Sequence, residues 1–138
     1  MQTINVETVV NSNVNKVWEH WNKPESVMLW NQASADWHCP VATNDLRVGG
    51  KLIYTMSSKD GKYSFDFGGE YTKVETNKRI EFTMGDGRKV IDTFEDLGEN
   101  KTKVTVIFEM EALNSEERQR AGWQAILDSF QKFCESQN

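Results

Sequence analysis

The sequence predicts a two-layer α+β fold, a mostly antiparallel sheet packed against one long C-terminal helix, and three observations predict it. From Val41 to Met110 apolar side chains recur with period two. Turn-forming residues interrupt that stretch at short intervals, at Gly49-Gly50, Asp60-Gly61, Asn77-Lys78, Gly85-Asp86-Gly87 and Gly98-Glu99-Asn100. Beyond Asn114 the period lengthens to that of a helix. A sheet with one apolar face and a helix with one apolar stripe must cover each other, which gives the two layers.

Taken in order, Ile4 and Val6, then Val9 and Val10 after a slip, make Thr3 to Val10 a first strand. It ends at Asn11-Ser12-Asn13, whose short polar side chains suit the N-terminus of a helix. Val14, Val17, Trp18 and Trp21 then fall at i, i+3, i+4 and i+7, the stripe of a short amphipathic helix. Pro24, with its fixed φ and missing N–H, starts a second short helix carrying Val27, Met28 and Trp30. Trp37, His38 and Cys39 follow on a loop, and five or six strands begin at Val41.

Within those strands Leu52, Tyr54 and Met56 share a face. So do Phe65, Phe67 and Tyr71, then Ile80, Phe82 and Met84, then Val90 and Phe94, then Val104, Val106, Phe108 and Met110. Short connections make successive strands antiparallel. Asn114 with Glu117 reads as a capping box, and Glu116 adds favourable charge to a helix running from Ser115 to about Gln137. Its stripe is Trp123, Ile126, Leu127, Phe130 and Cys134, with Arg118, Gln119, Asp128, Gln131, Lys132 and Glu135 among the polar remainder. Glycines at Gly49-Gly50 and Gly68-Gly69 permit bulges and sharp bending, and a curved sheet around one helix can leave a cavity.

Composition bounds the function. A chain of 138 residues is the usual size of one domain, so a single domain over residues 1–138 is expected. With 38% hydrophobic and 27% charged residues and no low-complexity tract, it is expected to fold throughout. A net charge of −5 without a basic stripe argues against nucleic acid as a partner. No run approaches the roughly 18 apolar residues of a membrane span, and Met1 to Val10 alternates instead of forming a signal-peptide core. The expected address is the cytoplasm, where Cys39 and Cys134 stay reduced as buried or half-buried thiols. A zinc site from His20, His38, Cys39 and Cys134 lacks ligand spacing, so no metal is expected, nor any cofactor.

Several stretches together resemble a known family. These are Val17-Trp18, Asn22-Lys23-Pro24-Glu25 and Trp30; Asp45-Leu46-Arg47-Val48-Gly49-Gly50; Phe67-Gly68-Gly69-Glu70-Tyr71 leading to Ile80-Glu81-Phe82-Thr83-Met84; Lys101 to Val106; and Gly122-Trp123 with Leu127. Over nearly its whole length the chain resembles the activator-of-Hsp90-ATPase-like (AHSA1-like) family of the START/Bet v 1-like, or SRPBCC, superfamily. The resemblance implies the helix-grip fold: a curved antiparallel sheet of about six or seven strands around the last helix, an internal apolar cavity, and two short helices partly closing it. It further implies binding of a small apolar ligand such as a lipid, sterol, flavonoid or polyketide-like molecule. Its alternatives are a stress-related interaction module beside an Hsp90-type chaperone, or a small polyketide cyclase-like enzyme. Eukaryotic Hsp90 activators carry a further N-terminal domain, so weak stimulation of such an ATPase by this chain alone is the expectation.

The candidate ligand-binding residues are Trp37, Tyr54, Met56, Phe67, Tyr71, Phe82, Met84, Asp92, Phe94, Trp123, Leu127 and Phe130. Periodicity alone reads most of them as a filled core, whereas the resemblance opens a cavity among them. Asp92 is in step with Val90 and Phe94, and an inward carboxylate there is the one candidate acid or base. The alternative, favoured because inward charges are uncommon, puts Asp92 near a strand end or makes Ile91 the buried residue. Arg47 either clamps Asp45 and the glycine turn or orients a ligand. Trp37, His38 and Cys39 either form a pocket rim or leave Trp37 plugging the edge of the core, and His38 has no evident acid, nucleophile or metal partner.

Overall fold

The computed structural model describes residues 2–138. Its elements run β1 (Thr3–Val10), α1 (Val14–Asn22), α2 (Pro24–Trp30), β2 (Trp37–Asn44), β3 (Lys51–Ser58), β4 (Ser64–Glu75), β5 (Arg79–Met84), β6 (Lys89–Gly98), β7 (Lys101–Glu109) and α3 (Glu116–Ser136). The strands form one sheet in the order β1-β7-β6-β5-β4-β3-β2. Every neighbouring pair is antiparallel. Helices α1 and α2 carry the chain from one edge strand, β1, to the other, β2, and the remaining strands follow as successive hairpins. The sheet curls into a half-barrel around α3, the helix-grip arrangement that the resemblance implies.

Register places the alternating apolar positions on one surface. Tyr54 pairs with Phe67, Tyr71 with Phe82, Phe82 with Val90, and Val90 with Phe108, so the inward side chains of five strands lie in rows. From above, α3 sends Leu127 and Phe130 into this surface, at 1% and 0% exposure. The Gly49-Gly50 turn is tied across to β4, because Gly49 N–H donates to Tyr71 O and Tyr71 N–H to Gly50 O, both at 2.9 Å. Gly49 holds φ at +85°, where a side chain would be strained.

Five details differ from the sequence expectation, the first being that β1 pairs with β7 without a slip, so that Val10 is buried and Val9 exposed. Strand β2 begins at Trp37, not Val41, so Trp37, His38 and Cys39 are strand residues. The register slips between His38 and Val41, around Pro40, which lacks an N–H, and the slip hides the period-two pattern. At Gly68 and Gly69 there is no bulge. Their bare Cα atoms let strands close up, since a Cβ there would stand 2.0 Å from Leu52 O or 2.3 Å from Thr83 O. The nearby register shift falls instead between Tyr71 and Lys73. The cap of α3 is Ser115, whose hydroxyl accepts Arg118 N–H at 3.1 Å, while the Asn114 amide turns back to Glu111 at 2.6 Å. Gln119 is buried, because its side-chain N–H groups donate to Glu111 O and Asn114 O and its Oε1 accepts Glu111 N–H, tying down the β7–α3 connection.

Candidate functional site

Between the inner face of the sheet and α3 lies a cavity of ≈ 680 Å³. The middle strands wall it with Tyr54 and Met56 of β3, Phe67 and Tyr71 of β4, Phe82 and Met84 of β5 and Asp92 of β6, and α3 adds Trp123 and Leu127. These are nine of the twelve side chains expected from the sequence. Gly122 of α3 contributes to the open space: it lines the cavity, and a Cβ there would meet nothing within 4 Å.

The other three expected residues lie elsewhere. Phe94 and Phe130 are core residues behind the wall, with Trp21 packing edge-on against them at ring separations of 5.9 and 4.9 Å. Trp37 is half-buried on the edge strand β2, outside the lining, and packs against the exposed ring of Phe65, 5.9 Å away, which does line the cavity. Arg47 is outside the cavity and clamps both carboxylate oxygens of Asp45 at 2.9 and 3.0 Å, so its structural reading holds.

Sequence reasoning missed Trp21 and Trp30, which close the inner end of the cavity. Their rings stack at 5.0 Å, and each indole N–H is satisfied: Trp30 donates to His20 O at 2.9 Å and Trp21 to Asp92 Oδ2 at 3.2 Å. Their helical spacing is accounted for by α1 and α2 packing on each other. The available signal was the excess of aromatic surface on two helices too short to need it.

Asp92 faces inward. It is 4% exposed and pairs across the sheet with Ile80 and Val106, which overturns the expectation that Ile91 marks the buried face. Burial pushes its carboxyl up to about 7, only partly offset by the Trp21 hydrogen bond. Burial also pushes the phenols of Tyr54 and Tyr71 up, with Asp92 contributing to both shifts, so both rings stay neutral. The Tyr71 hydroxyl donates to Asn44 Oδ1 at 2.5 Å, and the Asn44 amide donates to Asn22 O at 2.8 Å. The site is thus a largely apolar, aromatic chamber with a small polar cluster around Asp92 and with Asp66, Asp86, Arg88, Glu111 and Arg118 also in its lining.

Cys39 and Cys134, expected as buried or half-buried thiols, are both buried and unpaired, and burial pushes the Cys134 thiol up to about 12. His20 bonds Ser26 at 3.0 Å and packs on Phe133 at 5.1 Å. Among the described residues no three His, Cys, Asp or Glu side chains gather as metal ligands, and no helix is long and apolar enough to cross a membrane.

Comparison with known proteins adds the context. The family model of the activator of Hsp90 ATPase homolog 1-like protein matches residues 11–135. The solution structure of the AHSA1-like protein from Aeromonas hydrophila is 38% identical with a TM-score of 0.91, over 99% of this chain and 94% of that one. A protein from Cytophaga hutchinsonii is 48% identical with a TM-score of 0.83, over 98% and 93% of the two chains. A protein from Chromobacterium violaceum shares the fold at 21% identity, with a TM-score of 0.86 over 98% and 99%. Among curated proteins none matches the chain.

Proposed function

This chain belongs to the activator of Hsp90 ATPase homolog 1-like family, and we propose that it binds a small, largely apolar molecule in the cavity between the sheet and α3. One observation carries the reading. A chamber of ≈ 680 Å³ walled chiefly by aromatic and aliphatic side chains, with Asp92 and a limited number of other polar groups among them, has the size and make-up of a ligand pocket. Close-packed interiors do not leave such volume by accident of sequence, because unfilled space forfeits contacts on every wall. A lipid, sterol, flavonoid or polyketide-like molecule regains those contacts.

The polar cluster at Asp92 orients such a ligand. Tyr54, Tyr71 and Asp92 offer hydrogen-bond partners deep in the chamber, so a molecule with one polar end enters apolar end outermost or folds its polar group inward to meet them. Binding supports the arrangement better than turnover does, since Asp92 has Trp21 Nε1 as its hydrogen-bond partner and stands beside no nucleophile or second acid.

A thermal-shift screen over flavonoids, sterols, fatty acids and polyketide-like aromatics tests the proposal. A ligand at a hundredfold excess over Kd stabilises the folded state by about 2.7 kcal/mol, a rise in Tm of several degrees. A flat screen would refute the binding reading and leave an interaction role beside an Hsp90-type chaperone in its place.

A further inference from the structure

We propose that the ligand of this cavity carries one positive charge, an amine or quaternary ammonium on an apolar body, seated against Asp92 within the aromatic wall. This deepens the binding reading above and rests on it.

The first ground is an unpaired acid. Asp92 is 4% exposed, yet no cationic side chain offsets its burial: Trp21 of α1 donates to it, Ile80 of β5 and Val106 of β7 are its cross-strand neighbours, and the neutral phenols of Tyr54 and Tyr71 feel its charge. The ion pairs found among the described residues join other residues. A buried carboxylate without a counter-ion is costly, and it is resolved either by holding a proton or by receiving a cation. With its carboxyl at about 7, Asp92 is poised between the two at neutral pH.

The second ground is the wall. The indoles of Trp21 and Trp30, stacked on each other, and the rings of Tyr54, Tyr71 and Phe82 line the cavity, and aromatic rings attract cations, most strongly where water is excluded. The Tyr71 hydroxyl spends its proton on Asn44, which leaves oxygen lone pairs for an ammonium N–H.

The third ground is the approach. The cavity is lined by four carboxylates, Asp66, Asp86, Asp92 and Glu111, against two guanidiniums, Arg88 and Arg118. Arg88 is held by Asp86 at 2.7 Å. The whole chain carries −5, so the field favours entry of cations and opposes anions. Among the ligand classes above, free fatty acids are therefore the least suited.

Three probes that share a phenylhexyl body and end in a primary amine, an alcohol or a carboxylate test the inference by calorimetry. At about pH 8 the amine is expected to bind about tenfold or more tightly than the alcohol, and the carboxylate most weakly, as charge-assisted hydrogen bonds exceed neutral ones. From about pH 6 to about pH 8 the amine affinity is expected to rise about tenfold, because at the lower pH the amine must displace a proton from Asp92. Asp92→Asn is expected to abolish the amine's advantage over the alcohol. If the alcohol binds as well as the amine, or if affinity falls as pH rises because protonated Asp92 donates to a neutral acceptor, the charge assignment is overturned while the binding reading stands. If none of the three binds, both are overturned.

Discussion

Replacing Asp92 with Asn in the ligand-free protein is expected to raise stability, and to do so only above acid pH. Asp92 is buried, and its carboxyl is pushed from 3.8 to about 7 on folding. Between those values the native state holds a proton that the unfolded chain has released, so stability falls as pH rises through the window and levels off above 7. Each unit is worth about 1.4 kcal/mol, so the full window amounts to about 4 kcal/mol. Asn has the shape of the protonated acid, still accepts the Trp21 indole N–H through its amide oxygen, and does not ionise. All other titrating groups are common to both proteins and cancel in the difference. Urea denaturation at a series of pH values should therefore show near-equal stabilities at about pH 4 and an Asn variant more stable by about 4 kcal/mol at about pH 8. At about 3 °C per kcal/mol for a domain of this size, the melting temperatures should separate by about 10 °C. A stability difference that stays constant across the window, or an Asn variant that is the less stable at about pH 8, would refute the desolvated-acid account of Asp92.

Three further substitutions probe the framework. Ser115→Ala removes the hydroxyl that accepts Arg118 N–H at 3.1 Å, and should cost about 1 kcal/mol in urea denaturation. Gly68→Ala would bring a methyl to 2.0 Å from Leu52 O in the adjacent strand, so a thermal melt should show a loss of about 3 kcal/mol or more; an unchanged Tm contradicts the close approach. Gly122→Leu removes a helix-interior glycine where a Cβ has open space, which favours α3 by about 1 kcal/mol, while the new side chain occupies the cavity. Its signature is a higher Tm combined with a loss of ligand affinity of about tenfold or more; unaltered affinity would mean that ligands sit elsewhere.

The sequence was most legible where one side chain's fate depends on spacing alone. Leu52, Tyr54 and Met56 alternate without interruption, and all three are buried on one face. The turns at Asp60-Gly61 and Asn77-Lys78 fell where hairpins require them, with Gly61 at φ +78° and Asn77 at φ +66°. Legibility failed at Pro40, where a slipped register breaks alternation and conceals the start of β2. It failed again for Asp92, because rules about charge speak of averages and the phase of one strand speaks of a place: Val90 and Phe94 already set the inward face. Trp21 and Trp30 were readable as helix packing but not as cavity wall, since that depends on how the helices lie over the sheet. Phe94 and Phe130 illustrate the converse. An inward aromatic is common to a wall and to the layer behind it, and no periodicity separates the two.

The most direct test of the central claim uses the five tryptophans as position markers. Trp21, Trp30 and Trp123 line the cavity, whereas Trp18 and Trp37 do not. Each has one indole N–H signal in a nitrogen–proton correlation spectrum, so titrating a compact naphthalene probe reports its location without any assay of activity. Binding inside predicts that the signals of Trp21, Trp30 and Trp123 shift together along one saturating curve while those of Trp18 and Trp37 move little. Signals that all stay in place, or shifts confined to Trp18 and Trp37, would contradict an internal binding site.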